Sequence, residues 1–181
     1  MKITSPGRIC LFGEHQDYLG LPVIALAISL RSTINAVKRN DRKIVINMPD
    51  LDQVEEFSLD DLSYTKDRDY FKSAIRVCQK EGLSFKKGFD SNIQSNIPIL
   101  AGTSSSSSIV VGWIILISSL ADNPPSWDNQ TIGRLAYEAE VLEFGEPGGM
   151  MDQYSTALGG CIYLTPVSYT HLRAHETDSY L

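Results

Sequence analysis

Over the first sixty residues apolar and polar positions alternate in short runs with period two, the pattern of strands that bury one face. The runs read as strands are 8–12, 22–28, 32–38, 43–48 and 54–59; in the third, Ile34 and Ala36 fall on one side, Thr33 and Asn35 on the other. Asn40-Asp41 is a turn signal between the third and fourth runs and predicts an antiparallel hairpin. From Asp69 to Glu81 the period changes. Phe71, Ile75 and Cys78, with Ala74 between them, recur at helical spacing, and Gly82 stands where a helix should stop. Phe89 to Ile93 reads as a further strand leading into Asn96-Ile97-Pro98. A run of small residues follows, then an apolar helix over Trp113 to Leu120. Beyond a polar, proline-bearing loop at 122–128, Ile132, Leu135, Ala136, Ala139 and Leu142 mark one face of a helix expected to end near Gly145. Pro147-Gly148-Gly149 opens a last helix, Met150 to Ala157, and Gly159-Gly160 precedes a strand that begins at Cys161. Strands with interspersed helices and an antiparallel pair predict an α+β fold, not a doubly wound parallel sheet.

Composition narrows the function classes. The chain has 181 residues, enough for one domain with a real core. A formal net charge of −6 argues against a general nucleic-acid or anionic-membrane binder, since both need a basic footprint. Cys10, Cys78 and Cys161 are odd in number, widely spaced and form no C-x-x-C, so neither a disulfide framework nor a zinc ribbon is indicated. That usage suits a reducing compartment and predicts a cytoplasmic location. The N-terminus carries no secretory h-region, and the longest apolar stretch, Ile109 to Leu120, falls short of the ~20 residues of a membrane span.

Three segments carry candidate chemistry. The first is Pro98 to Ser108, where Gly102, Thr103, Ser104, Ser105 and Ser106 lie between a strand and a helix. Free backbone N–H groups and the positive end of a helix dipole converge at such a place, small side chains admit a phosphate, and a hydroxyl can ligate Mg²⁺. A serine-rich linker or a plain N-cap is the plainer reading, and a Walker A loop is excluded because no lysine follows Lys87. The second is Gly7-Arg8 through Gly13-Glu14-His15-Gln16-Asp17-Tyr18, which offers several acceptors and a donor to a polyhydroxylated ligand, or else forms a solvated turn. In the third, Glu140 adjoins an apolar stripe and so can point inward, while Asp152 lies in the first turn of a glycine-led helix, where the dipole favours its charge. Asp152 could accept a proton from a hydroxyl or hold that hydroxyl in line.

In this order the segments resemble those of the GHMP small-molecule kinases, and among them the galactokinases. Gly7 to Tyr18 is similar to the galactokinase signature, Pro98 to Ser108 to the family's serine-rich second motif, and Gly149-Met150-Met151-Asp152-Gln153 to G-I-M-D-Q; Glu140 stands twelve positions before Asp152, as the family's helix glutamate does. The resemblance implies an α+β GHMP N-terminal domain with a mixed or antiparallel sheet and helices packed on one side. It implies transfer of the ATP γ-phosphoryl to the anomeric hydroxyl of galactose or a related hexose. Asp152 would be the base or hydroxyl positioner, with Arg8 holding charge beside it. Glu14, His15, Asp17, Gly148 and Gly149 would bind the sugar, Gly102 to Ser106 would cradle ATP, and Ser106 and Glu140 would ligate Mg²⁺. The pattern departs at Leu100 (glycine in the family), Thr103 (leucine), Ser107 (alanine) and Gln16 (threonine). Residues 1–166 carry the likeness; the family's C-terminal domain would pack against them, and 167–181 reads as a foreign tail. In that tail His171, His175 and Glu176 do not form H-E-x-x-H, and no metal site is assigned to them. Two alternatives stay open: a GHMP kinase acting on another sugar or on mevalonate, and an inactive fragment or non-catalytic sugar sensor.

Overall fold

The strand runs assemble into one mixed sheet in the computed structural model, which describes residues 1–99, 101–165 and, as backbone, 173–176. Leu100 and His171 lie outside the described residues, as do the side chains of His175 and Glu176. The strands are β1 (Lys2–Phe12), β2 (Val23–Lys38), β3 (Lys43–Met48), β4 (Gln53–Ser58), β5 (Phe89–Ser95), β6 (Cys161–Thr165) and β7 (Arg173–Glu176). The helices are α1 (Tyr70–Lys80), α2 (Ser105–Leu120), α3 (Asn129–Glu140) and α4 (Met151–Leu158). The α+β expectation with a mixed sheet holds.

β2 is the spine. β1 pairs antiparallel along one edge, from Lys2↔Asn35 to Phe12↔Ile24. The other edge is shared: β5 takes Ser32 to Lys38 and β6 takes Val23 to Leu26, both antiparallel. β3 lies parallel to β5 and antiparallel to β4, and β7 pairs with β6. Alternation then decides what each face meets. Ile34, Ala36, Ile44, Ile46, Phe89 and Ile93 are buried in the same cluster as Ala74, Ile75, Trp113 and Leu135 of the helices, whereas Val37 and Val54 point to solvent. Trp113 is the keystone. It is fully buried, its ring meets Phe71 and Phe89 at 4.8 and 5.3 Å between centroids, and its Nε1–H donates to Phe71 O.

Several expectations need correction. Runs 32–38 and 43–48 form no hairpin, because β5 lies between them and buries Ile93 opposite Ile34 and Phe89 opposite Ile44. Runs 22–28 and 32–38 are one 16-residue strand, in which the β1 register shifts between Pro6 and Arg8 and breaks the alternation. The first strand starts at Lys2, six residues before Arg8. The apolar helix starts at Ser105 instead of Trp113, so most of the serine run is its first turn. α3 stops at Glu140, and a 3-10 turn, Leu142–Phe144, carries the chain to Gly145 at φ +62°.

Candidate active site

Arg8 of β1 is buried, yet each of its guanidinium nitrogens has a partner. Nε and Nη2 donate to Asp152 Oδ1 at 2.9 and 2.5 Å, and Nη1 donates to Gly102 O at 2.5 Å. An interior cation needs that much pairing. Both bonds from Arg8 to the carboxylate end on Oδ1, which leaves Oδ2 to meet a ligand hydroxyl. Asp152 sits in the first turn of α4 with 32% of its side chain exposed.

The turn after β1 reaches the same place. Gly13 at φ +89° reverses the chain, the Gln16 N–H closes the turn on Gly13 O, and Asp17 becomes buried. Its Oδ2 accepts the Met151 N–H at 2.8 Å, so Asp17 caps the start of α4 across 134 residues of sequence. Gly149 lies so close to that carboxylate that a Cβ would land on it, and this explains the glycine. Glu14 and His15 are exposed at the rim. Arg8, Glu14, His15, Asp17, Glu140, Gly148, Gly149 and Asp152 thus line one cavity of about 290 Å³, a size suited to a small polar ligand.

Glu140, at the end of α3, is buried as its place beside the apolar stripe suggested. Burial pushes its carboxyl up, while hydrogen bonds from Gln153, Ser106 and Ser107 pull it down and the neighbouring Asp152 charge pushes it up. Gln153 Nε2 donates to Glu140 Oε2 at 2.7 Å and reaches Ser107 Oγ at 3.4 Å. Gln153 lies inside a quoted motif but drew no role, and Arg68, Tyr70 and Ser107 also line the cavity. Periodicity carried no signal for Arg68 or Tyr70, which are remote in sequence from the three motifs. The hydroxyl at 107, noted as a departure, was the available signal for Ser107.

Ser107 is the point at which the small-residue segment lines this cavity; Gly102 to Ser106 border it through Arg8. Thr103 O accepts the Arg8 N–H at 3.2 Å, and a Cβ on Gly7 would press on Thr103 O. Gly102 adopts φ +65° and Ser104, the N-cap of α2, φ +56°. The Ser104 hydroxyl is buried without a hydrogen-bond partner, beside the N–H groups of Ser105, Ser106 and Ser107 that a helix start leaves unpaired. An orphaned hydroxyl next to free N–H groups on a 16-residue helix fits a phosphate. A hydroxyl and a carboxylate, Ser106 and Glu140, are hard oxygen donors that fit Mg²⁺, which takes few protein ligands beside phosphate and water. Among the described residues no group of three or more His, Cys, Asp or Glu could hold a metal ion, and no helix is long and apolar enough to cross a membrane.

The chain is similar to known proteins in both sequence and fold. The GHMP kinases N terminal domain model matches residues 69–160, and the galactokinase galactose-binding signature matches residues 2–39. The galactokinase of Clostridium perfringens is 38% identical over 162 residues, covering 86% of this chain and 41% of that protein. The galactokinase of Actinobacillus succinogenes is 30% identical over 181 residues, covering 98% and 46%. The chain therefore spans less than half the length of these curated relatives. Lactococcus lactis galactokinase complexed with galactose superposes at a TM-score of 0.84 with 28% identity, over 96% of this chain and 46% of that one. Methanococcus jannaschii mevalonate kinase superposes at 0.83 with 28% identity, over 98% and 56%.

Proposed function

Because the chain belongs to the GHMP kinases, we propose that the protein carrying it transfers the γ-phosphoryl group of ATP to the anomeric hydroxyl of galactose. The observation that carries this reading is the Arg8–Asp152 pair, set between the capped start of α4 and the loop that precedes α2. Phosphoryl transfer asks for alignment and charge neutralisation more than for covalent chemistry, and both are built from this chain's own groups.

Asp152 Oδ2 accepts the hydrogen of the anomeric hydroxyl. The hydroxyl oxygen bonds to the γ-phosphorus as the bond to the β,γ-bridging oxygen breaks, ADP departs, and the hydroxyl proton passes to Asp152. Arg8 keeps that carboxylate fixed and offsets charge beside the transferring group. Asp17, with Oδ2 committed to Met151 N–H, offers Oδ1 to a sugar hydroxyl, and Glu14 and His15 add acceptors and a donor at the rim. Gly148 and Gly149 present backbone to the sugar. Gly102, Thr103, Ser104, Ser105 and Ser106 cradle the phosphates at the start of α2. Mg²⁺ held by Ser106 and Glu140 would neutralise phosphate charge when bound.

The Glu14-His15-x-Asp17 turn favours a sugar over mevalonate, since three polar groups on one turn match several hydroxyls. A panel of galactose, glucose, mevalonate and a heptose 1-phosphate with MgATP tests the reading: galactose should give the highest kcat/KM. Preference for mevalonate would move the protein to another branch of the family, and binding of galactose without turnover would make it a sensor.

A further inference from the structure

Beneath the phosphate cradle runs a buried chain of serine hydroxyls that no catalytic role absorbs. Ser5 Oγ of β1 donates to Ser108 O of α2 at 2.6 Å, and Ser108 Oγ donates back to Ser5 O at 3.0 Å. Ser108 Oγ is also 3.0 Å from Ser32 Oγ, which is 3.0 Å from Ser95 Oγ. Ser5, Ser32 and Ser108 are at most 1% exposed. One turn further along α2, a Cβ on Gly112 would come within 2.7 Å of Ser5 Oγ, so the glycine lets the helix sit directly on the strand at this point. Buried hydroxyls are costly unless paired, and this reciprocal pair joins the first turn of α2 to the strand that three residues later carries Arg8.

We infer that Ser5 and Ser108 are positioning residues: their clasp sets the register of the cradle's N–H groups against Arg8 and so governs affinity for the nucleotide phosphates. This rests on the kinase reading only for the identity of the anion. Ser32 supplies the control, because Ser32→Ala breaks the next link of the chain while leaving both Ser5–Ser108 bonds in place.

The experiment compares wild type, Ser108→Ala, Ser5→Ala and Ser32→Ala in the protein that carries this chain, by amide hydrogen exchange over 108–112, where the α2 backbone bonds begin, and by calorimetric titration with MgATP. Ser108→Ala and Ser5→Ala should each speed exchange in that segment about tenfold and weaken MgATP by a similar factor. Ser32→Ala should lower Tm yet leave both readouts at wild-type values. Ser5→Ala keeps the Ser108 hydroxyl in place and serves if Ser108→Ala does not fold. Equal exchange in the Ser32 and Ser108 variants, or a Ser5 variant indistinguishable from wild type, overturns the clasp. Wild-type protein that binds no MgATP would overturn the kinase reading instead, and the exchange data would still decide the clasp.

Discussion

Gly149 shows how tightly single residues constrain the site. Its missing side chain is the space that the Asp17 carboxylate occupies, and that carboxylate in turn caps the helix bearing Asp152. Gly149→Ala should therefore displace Asp17 and raise KM for the sugar by at least about tenfold with the fold retained, measured by steady-state kinetics with circular dichroism as control. The family resemblance implies Asp17 as a sugar ligand, and it lines the cavity; its capping bond, which joins segments far apart in sequence, has no local signal. Cys78 shows a purely structural residue by contrast. Burial in the core pushes its thiol up to about 12, so at pH 8 it stays a neutral, shielded thiol. Native protein exposed to iodoacetamide should be carboxamidomethylated at Cys10 and Cys161 well before Cys78, with all three modified in denaturant, as read by peptide mass spectrometry.

At the scale of elements, strongly periodic segments were legible to within a residue or so: a helix over 69–81 was expected and Tyr70–Lys80 is found, and β3 matches its predicted run. The start of α2 was missed by eight residues because serine is a poor helix former that favours caps and loops. Burial of Ser107 and Ser108 against the sheet outweighs that preference. The hairpin failed for a different reason, since no local signal reports that a strand fifty residues later will insert. Trp113 ties α2 to both α1 and β5, so Trp113→Ala should cost about 3–5 kcal/mol in urea unfolding. Tyr64 ties the segment before α1 to the 3-10 turn Leu142–Phe144, through its hydroxyl on Glu143 Oε1 at 2.7 Å. Burial first, then that bond, raises its phenol from 10.0 to about 12. The unfolded chain therefore releases this proton first, and its contribution to stability is complete below pH 10 and lost as pH climbs to about 12. Tyr64→Phe should flatten that part of a plot of stability against pH.

Across the whole molecule, the helices cover one face of the sheet, and chemistry gathers where the start of α2, the start of α4 and the turn after β1 converge. Beside that point Leu11, Phe12, Tyr18, Leu19 and Leu21 are exposed, Phe12 by 69% and Leu19 by 64%. Exposed apolar side chains in this number suit a covering partner, which we propose is the family's C-terminal domain. The isolated chain should bind an apolar dye, and Phe12→Ser with Leu19→Ser should weaken that signal. The proposed role of Asp152 is narrower: held by Arg8, it would orient the anomeric hydroxyl for phosphoryl transfer. The most direct test is ³¹P NMR of the product formed from galactose and MgATP by the protein carrying this chain, compared with its Asp152→Asn and Arg8→Ala variants. Wild type should form galactose 1-phosphate, and Asp152→Asn should lose about 10²–10⁴-fold in rate with sugar still bound. Undiminished turnover in Asp152→Asn, or phosphate on any other hydroxyl, would contradict that role.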